Sequence, residues 1–280
     1  MRAANDTAQA ILARNMEAET GQTRMERLHT GAEARRRHRI RVAGNVLIAA
    51  SLLGLLAIVF YFVGTCVYTG RQQDRLRDEL AADNPGLAEA VGSISESDFI
   101  PVASWVGAAA AEAERRAQLQ ALESSAEAFK LAVAGRRGKA IGRIVIPSIG
   151  VDVVMVEGDY EGTSETYLKV GPGHWPETPF PGQGGSFVVS GHRTTWGAPF
   201  FKLNELKPGD EIELVLPYAI VRYTVTRVLV VAPDDIEVVA DQGKEQVSLV
   251  ACHPIYRATE RIIAQGDMSS FVLIEPRNRP

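Results

Sequence analysis

The chain has 280 residues, of which 46% are hydrophobic and 23% are charged, and its formal net charge is −4 at neutral pH. This composition is that of an ordinary globular protein, and it excludes a disordered chain, a collagen-like chain and a strongly basic nucleic-acid-binding protein. The charge is unevenly distributed, because residues 1–41 are rich in arginine and the remainder is acidic.

The N-terminal region contains a long apolar segment. Residues 1–41 are polar, which predicts a flexible arginine-rich tail, and residues 42–70 carry no charge between Arg41 and Arg71. A bilayer core requires about 20 apolar residues in a helix, so residues 42–70 are predicted to form a transmembrane helix. Three alternatives fit less well: a buried core helix, a cleaved signal peptide and a lipid-modified Cys66.

The charges that flank this segment predict its orientation. The arginines that closely precede it are Arg35, Arg36, Arg37, Arg39 and Arg41. The arginines that follow it are fewer and alternate with acidic residues. The positive-inside rule therefore predicts a single-pass protein of the cell membrane, with a cytoplasmic N-terminus and an extracellular region after residue 70.

Residues 71–139 are predicted to form a helical stalk or linker. A first helix should be interrupted at Asn84-Pro85-Gly86, and a second should cover about 104–134. The apolar face of the second helix is mostly alanine, which packs weakly, and a helix of about 30 residues spans about 45 Å. We therefore expect this segment to separate the following domain from the membrane.

Residues 140–280 have the pattern of a β domain. The predicted strands lie in 143–158, 186–192, 210–216, 219–232, 236–239, 246–252 and 261–268, and one predicted helix covers 198–206. Many short strands bounded by Gly, Pro and Asp favour a closed or nearly closed β-barrel over an α/β sheet. The pattern does not separate a barrel from a sandwich.

Cys252 lies at the end of the predicted strand 246–252. The other cysteine, Cys66, belongs to the predicted transmembrane helix, so Cys252 has no partner in the predicted extracellular region, where structural cysteines normally pair. A single cysteine in that compartment indicates a reactive thiol or an intermolecular disulfide. The alternative is a small buried apolar residue.

A nucleophilic thiol requires a base and an oxyanion donor, because an ordinary thiol, with a pKa of about 8.5, is mostly protonated at neutral pH. His192 directly follows an apolar strand, which places it at the rim of a rigid scaffold. His253 is adjacent to Cys252 and should point to the opposite strand face. His174 lies in a Pro/Gly-rich loop, where a structural or substrate-lining role is expected.

Two arginines follow Cys252 and are candidates for the oxyanion donor. Arg261 begins a new strand, which fixes its direction, whereas Arg257 lies in a loop; we therefore favour Arg261. A zinc site formed by His192, Cys252 and His253 is a third interpretation, but their spacing lacks the usual compact ligand pair. No metal and no cofactor are predicted.

Several segments of the β region together resemble one enzyme family. They are GRIVIPSIGVD, GPGHWPETPFPGQGG, FVVSGHRTT, FFKLNELKPGDEI, SLVACHP and ERIIAQ, and they occur in this order within residues 140–275. The region resembles the sortases, membrane-anchored cysteine transpeptidases of Gram-positive bacteria, and especially classes D and E. The resemblance implies an all-β fold, the eight-stranded sortase-type β-barrel with short helices, over residues 140–280.

The resemblance also implies roles for individual residues. Cys252 would be the nucleophile, His192 the general acid/base, and Arg261 the oxyanion or substrate-positioning group. The residues expected to contact substrate are Ser248, Ala251, His253 and Trp175.

The reaction implied is cleavage of an LPxTG-like sorting signal between Thr and Gly through a thioacyl-enzyme. The acceptor would be a primary amine of a cell-wall precursor or of a pilin, and no nucleic-acid partner is expected. One departure is that the usual TLxTC reads SLVAC, with Ala251 in place of threonine. The alternative function is therefore a catalytically silent sortase-like protein that binds envelope peptides or assembles with partners.

Overall fold

A computed structural model of the chain describes residues 2–102, 109–158, 165–240 and 243–274. The chain divides into two compact units, Met1–Tyr61 and Phe62–Pro280. Helix α1, Arg2–Asp83, begins in the first unit and ends in the second. Among the described residues, one helical segment, Arg35–Asp83, is long and apolar enough to cross a membrane, with an 18-residue window of mean hydropathy 2.7.

The apolar side chains of this segment are exposed within the first unit. Leu47, Leu53 and Phe60 have exposed fractions of 68%, 67% and 80%. A core helix of a soluble domain would bury such side chains against other elements. Their exposure therefore favours the transmembrane interpretation over the core-helix alternative.

The predicted interruption at Asn84-Pro85-Gly86 is confirmed. Helix α1 ends at Asp83, and helix α2 covers Leu87–Ser93. The residue before a proline is disfavoured in helical conformation, and Gly86 adopts a φ of 93°, which suits glycine. The interruption lets α2 pack on the barrel, where Val91 and Ile94 join a cluster around Ile220.

The second unit contains a β-barrel. Its elements are β1 Ile100–Pro101, α3 Ala109–Val133, β2 Ala140–Ile146, β3 Val151–Glu157, α4 Glu165–Leu168, β4 Gly173–His174, β5 Ser186–Ser190, β6 Glu211–Val215, β7 Ala219–Val231, β8 Gln246–His253 and β9 Glu260–Leu273. The strand order is β1-β9-β7-β6-β2-β3-β4-β5-β8, and β8 also pairs with β9. This last pairing closes eight strands into a barrel and leaves the short β1 outside the closure. The predicted eight-stranded barrel is confirmed, and a sandwich is excluded.

Three local predictions differ from the structure. Residues Ile236–Val239 form a 3₁₀ turn rather than a strand, because Val239 packs on the sheet without joining its hydrogen-bond ladder. The segment 198–206 contains only a 3₁₀ turn, Leu203–Glu205, and Ala198 has a φ of 42°, which interrupts a right-handed helix. The two-residue strand β4 was not predicted, because a Gly/Pro-rich segment gives no strand pattern.

Helix α3 packs more tightly than its alanine-rich face predicts. Leu122 and Ala126 have no exposed surface and belong to the main core. A Cβ atom at Gly182 would lie 2.7 Å from Leu122 Cγ, so this glycine allows the close approach. The ring of Phe129 also contacts that of Phe180, with centroids 5.3 Å apart. The helix thus lies against the barrel, and the boundaries 71–139 stay a prediction.

The last turns of α1 are also attached to the barrel. Gln73 is buried, and its amide nitrogen donates to Val154 O at 3.1 Å and to Val170 O at 2.8 Å. Its amide oxygen accepts from Val154 N at 2.8 Å. One side chain thereby satisfies backbone groups of β3 and of the segment before β4. Leu76 and Leu80 extend this contact with apolar packing.

Candidate active site

Cys252 and His192 come from the same end of two neighbouring strands. Strands β5 and β8 are parallel, and Ser190 lies opposite Val250. The backbone pairing continues for one more step, since Gly191 N donates to Val250 O at 3.0 Å. His192 lies two residues after Ser190, and Cys252 lies two residues after Val250. Both are half-buried. The shared ends of the parallel pair therefore bring these two residues to one rim of the barrel.

Arg261 lies opposite Cys252 on the neighbouring antiparallel strand. The register between β8 and β9 pairs Cys252 with Arg261 and His253 with Glu260. Directly opposed residues of antiparallel strands point to the same face, with Cβ atoms about 4.5–5.5 Å apart. The Arg261 guanidinium also donates to Ala258 O at 3.2 Å and to Glu260 O at 3.0 Å, which anchors it to its own loop.

The two faces of β8 have different surroundings. Leu249 and Ala251 belong to the main core inside the barrel. Val250 belongs to a separate apolar cluster on the outer face, where its antiparallel partner Ile263 also lies. Because side chains alternate along a strand, Cys252 shares the outer face with Val250.

The comparison with known families agrees with this geometry. Residues 144–269 match the model of the family described as Sortase, a sortase domain. Residues 144–269 form a sortase domain. This segment contains His192, Cys252 and Arg261 and most of the barrel.

Relatives of the sortase domain include members of classes D and E. The chain is 33% identical to Sortase D of Bacillus subtilis over 133 residues, which cover 46% of this chain and 64% of that protein. It is 30% identical to Sortase SrtE1 of Streptomyces coelicolor over 146 residues, which cover 47% of this chain and 41% of that protein. The chain thus spans less than two thirds of either relative. The solved sortase E from Streptomyces avermitilis is 29% identical, with a TM-score of 0.43 over 51% of this chain and 96% of that one.

A fourth polar residue of this rim was not predicted. Arg193 is 3% exposed, and its guanidinium contacts four acceptors. They are Cys252 O at 3.4 Å, His253 Nδ1 at 2.6 Å, Asn204 Oδ1 at 2.6 Å and Phe201 O at 3.4 Å. The available sequence signal is an arginine directly after the candidate base, in GHRTT, where it follows a strand with the apolar centre Phe187-Val188-Val189.

The predicted substrate contacts fall into two groups. Ser248 has no exposed surface, and its hydroxyl pairs with Ser186 Oγ at 2.9 Å and accepts from Gln265 Nε2 at 3.0 Å. Ala251 is 3% exposed and faces the core. Both side chains are buried in this structure, and their predicted contact with substrate stays a prediction. The pleat and the barrel closure bury these positions.

Trp175 and His253 are half-buried. Trp175 donates from Nε1 to Ser190 Oγ at 2.7 Å and packs on the outer-face cluster that contains Val250. His253 alternates with Cys252 along β8, as predicted, and its ring contacts Arg193. Trp175 therefore remains on the same face as the thiol, and His253 does not.

His174 has a structural environment. Its Nδ1 lies 2.8 Å from Glu157 Oε2, its Nε2 lies 3.0 Å from Thr178 Oγ1, and the residue has no exposed surface. Its ring is stacked on that of Phe187, with centroids 4.5 Å apart. Of the two roles expected for His174, the structure supports the structural one.

The loops that follow the two candidate catalytic strands have unusual backbone conformations. The non-glycine residues with positive φ among the described positions are Trp196, Ala198, Tyr256 and Ala258. Two of them follow His192 and two follow Cys252. Such conformations are uncommon and concentrate where loops are held in a defined shape, which is typical of functional sites.

The zinc interpretation receives no support from the described residues. Within them, no group of three or more His, Cys, Asp or Glu side chains comes close enough to hold a metal ion. The absence of a cofactor and of a metal stays a prediction.

Proposed function

We propose that this chain is a membrane-anchored cysteine transpeptidase that acts on an LPxTG-like sorting signal. The observation that carries the proposal is the pairing of Cys252 with Arg261 across β8 and β9, at the rim where β5 delivers His192. A nucleophile, an acid/base and a cationic donor are the groups that acyl transfer through a thiol requires.

In the first half of the reaction, the Cys252 thiolate attacks the carbonyl carbon of the Thr–Gly peptide bond. The C–S bond forms and a tetrahedral oxyanion develops. When this intermediate collapses, the C–N bond breaks, and the leaving amine takes a proton from His192. The products are a thioester on Cys252 and a released peptide that begins with glycine.

In the second half, a primary amine of a cell-wall precursor or of a pilin attacks the thioester. His192 accepts the proton that the amine loses, a C–N bond forms, and the C–S bond breaks. The thiolate of Cys252 leaves, and the protonation states of His192 and Cys252 return to those at the start. The two half-reactions together require no oxidant, metal or cofactor.

Arg261 stabilises the oxyanion in both halves. Its guanidinium remains charged throughout the reaction and offers several N–H donors in a fixed plane. Its hydrogen bonds to Ala258 O and Glu260 O hold it in place without neutralising its charge. A preorganised donor of this kind typically contributes about 100-fold to 1,000-fold to turnover.

The apolar cluster beside the thiol suits the apolar side chains of a sorting signal. Val188, Val250 and Ile263 form its buried base, and Trp175 packs on it at the half-exposed edge. We assign Trp175 to the substrate site.

The proposed location is the cell membrane of a Gram-positive-type envelope. Residues 42–70 would cross the bilayer once, the N-terminus would be cytoplasmic, and the sortase domain would be extracellular. This arrangement places the thiol in the compartment that contains both the sorting signals and the acceptor amines.

The test is mass spectrometry of the full chain after incubation with a panel of LPxTG-like peptides. We expect a mass increase that matches the acyl fragment ending in Thr, located on Cys252 and discharged by a primary amine. The variant Cys252→Ala should show no adduct and no peptide cleavage, and Cys66→Ser should behave as the parent. Cleavage that persists in Cys252→Ala would contradict the mechanism.

The same experiment separates the alternative function, a catalytically silent binder, whose support is the replacement of threonine by Ala251. A silent protein would bind a sorting peptide but form no thioester. Binding without an adduct, for every peptide of the panel, would therefore favour the alternative.

A further inference from the structure

Arg193 has a combination of features that the proposed reaction does not yet use. It is almost completely buried, and no carboxylate among the described residues forms an ion pair with it. Its four hydrogen-bond acceptors are all neutral groups: two backbone carbonyls, an amide oxygen and an imidazole nitrogen. Burying a cation without a counter-ion is costly, so such an arrangement is retained only where the charge or its contacts serve a purpose.

We propose, on the basis of the transpeptidase function above, that Arg193 is a positioning residue that fixes the Cys252–His253 end of β8 and holds a permanent positive charge close to the backbone of Cys252.

The first part of the proposal follows from the connections that Arg193 makes. It directly follows His192 in the chain, and its Nη1 contacts both Cys252 O and His253 Nδ1. The base and the nucleophile are therefore joined by one side chain as well as by the pairing of β5 and β8. On its other side, Asn204 Oδ1 accepts from Nη2 at 2.6 Å, which prevents the guanidinium from rotating.

The second part follows from the charge of the guanidinium. Burial lowers the pKa of Arg193, and a negatively charged Cys252 acts in the opposite direction. Nη1 of the guanidinium lies 3.4 Å from Cys252 O, so the positive charge is held close to the residue that carries the nucleophile. Arginine remains protonated even when it is buried, so the charge is present at every pH at which the enzyme would work.

The contact between Arg193 and His253 also assigns the tautomer of His253. A guanidinium has donors only, so His253 Nδ1 must accept, and the proton of the neutral ring is on Nε2. His253 therefore offers no free basic nitrogen on Nδ1. This leaves His192 as the acid/base of the rim.

Other charged or titratable groups also surround the end of β8. They are His192 after β5, His253 on β8, Glu260 and Arg261 on β9, and the exposed Arg257 in the intervening loop. Arg257 is exposed and Arg261 is half-buried, whereas Arg193 is almost completely buried. The charge of Arg193 is therefore shielded least by solvent.

The test compares the pH dependence of Cys252 alkylation by iodoacetamide in the full chain, with Cys66→Ser as the common background. The variants are Arg193→Gln, Arg193→Lys and the control Lys202→Gln, which removes an exposed charge from the same loop region. We expect the pH midpoint of alkylation to rise by about one unit in Arg193→Gln. It should stay near the parent value in Arg193→Lys and in the control.

Turnover of a sorting peptide provides the second measurement. Arg193→Gln should lower kcat by about 100-fold, because both the charge and the positioning contacts are lost. Arg193→Lys and Asn204→Ala keep the charge but lose planar hydrogen bonds, so they should lower kcat by about 10-fold without moving the alkylation midpoint.

An unchanged alkylation midpoint or an unchanged kcat in folded Arg193→Gln would overturn the proposal. Folding is checked by circular dichroism. If Arg193→Gln does not fold, Asn204→Ala and Arg193→Lys test the positioning role instead. The proposal then requires both variants to lose kcat while the pH midpoint of Cys252 alkylation stays constant. Failure of the parent to form any acyl-enzyme would instead refute the transpeptidase function. Alkylation requires no sorting signal, so the two failures are distinguishable.

Discussion

The role of Cys252 depends on the face of β8 to which its side chain points. Cys252 lies on the outer face beside Arg261, whereas its neighbours Ala251 and His253 alternate with it. A shift of one residue in the register would exchange these positions and place the thiol in the barrel core. The long pairing of β9 with both β7 and β8 makes such a shift costly, since it would move every buried side chain of the strand.

The choice between the two arginines after Cys252 can be tested at this scale. Arg261→Ala should lower kcat/KM by about 100-fold to 1,000-fold, because it removes the charged donor that lies opposite the thiol. Arg257 is exposed in a loop, so Arg257→Ala should change kcat/KM by less than about threefold. Steady-state cleavage of a fluorogenic sorting peptide measures both, and a larger loss in Arg257→Ala would reverse the assignment.

Among the elements, the end of α1 is the one whose role the sequence did not indicate. Residues 71–83 were predicted as part of a stalk, yet Gln73 joins the edge of β3 and the segment before β4. Lys139, just before β2, also pairs with Asp83 and with Glu79 at the end of the helix. The helix therefore acts as an additional wall of the barrel unit.

The contribution of this attachment can be measured with one glutamine. Gln73→Leu should lower the free energy of unfolding of the second unit by about 1–3 kcal/mol, because it leaves the buried Val154 N–H without its acceptor. The control Gln120→Leu changes an exposed glutamine of α3 and should have an effect within about 0.5 kcal/mol. Urea unfolding of the full chain in detergent, followed by Trp fluorescence, provides the comparison. Equal stabilities of the two variants would contradict the role of Gln73.

For the whole molecule, the testable quantity is the orientation of the proposed membrane anchor. The arginines before the apolar segment outnumber those that follow it closely, which favours a cytoplasmic N-terminus. In protoplasts, an N-terminal tag on the full chain should resist external protease, and a C-terminal tag should be digested. Replacing Arg35, Arg36, Arg37, Arg39 and Arg41 by serine should produce a mixed orientation. Digestion of the N-terminal tag of the parent in intact protoplasts would contradict the predicted topology.

Features that depend on local pattern could be predicted from the amino-acid sequence alone. Short strands bounded by turn residues indicated the β domain, and the length of 42–70 indicated the apolar helix. Asn84-Pro85-Gly86 marked the helix interruption, because its backbone restrictions are local. Cys252, His192 and Arg261 were identifiable because each stands at the end or beginning of a strand, and strand ends are readable from composition.

Features that depend on which strands become neighbours could be known only from the folded chain. The β8–β9 pairing chose the barrel over the sandwich and placed Arg261 opposite the thiol. The same closure buries Ser248 and Ala251, whose contact with substrate stays a prediction. Arg193 and Gln73 were missed because a polar residue gives no periodic signal, and its acceptors lie up to 97 residues away in the chain. Long-range hydrogen bonds to backbone groups leave no pattern in the local sequence. In this protein, those of Arg193 join the residues after β5 to the end of β8, and those of Gln73 attach the end of α1 to the barrel.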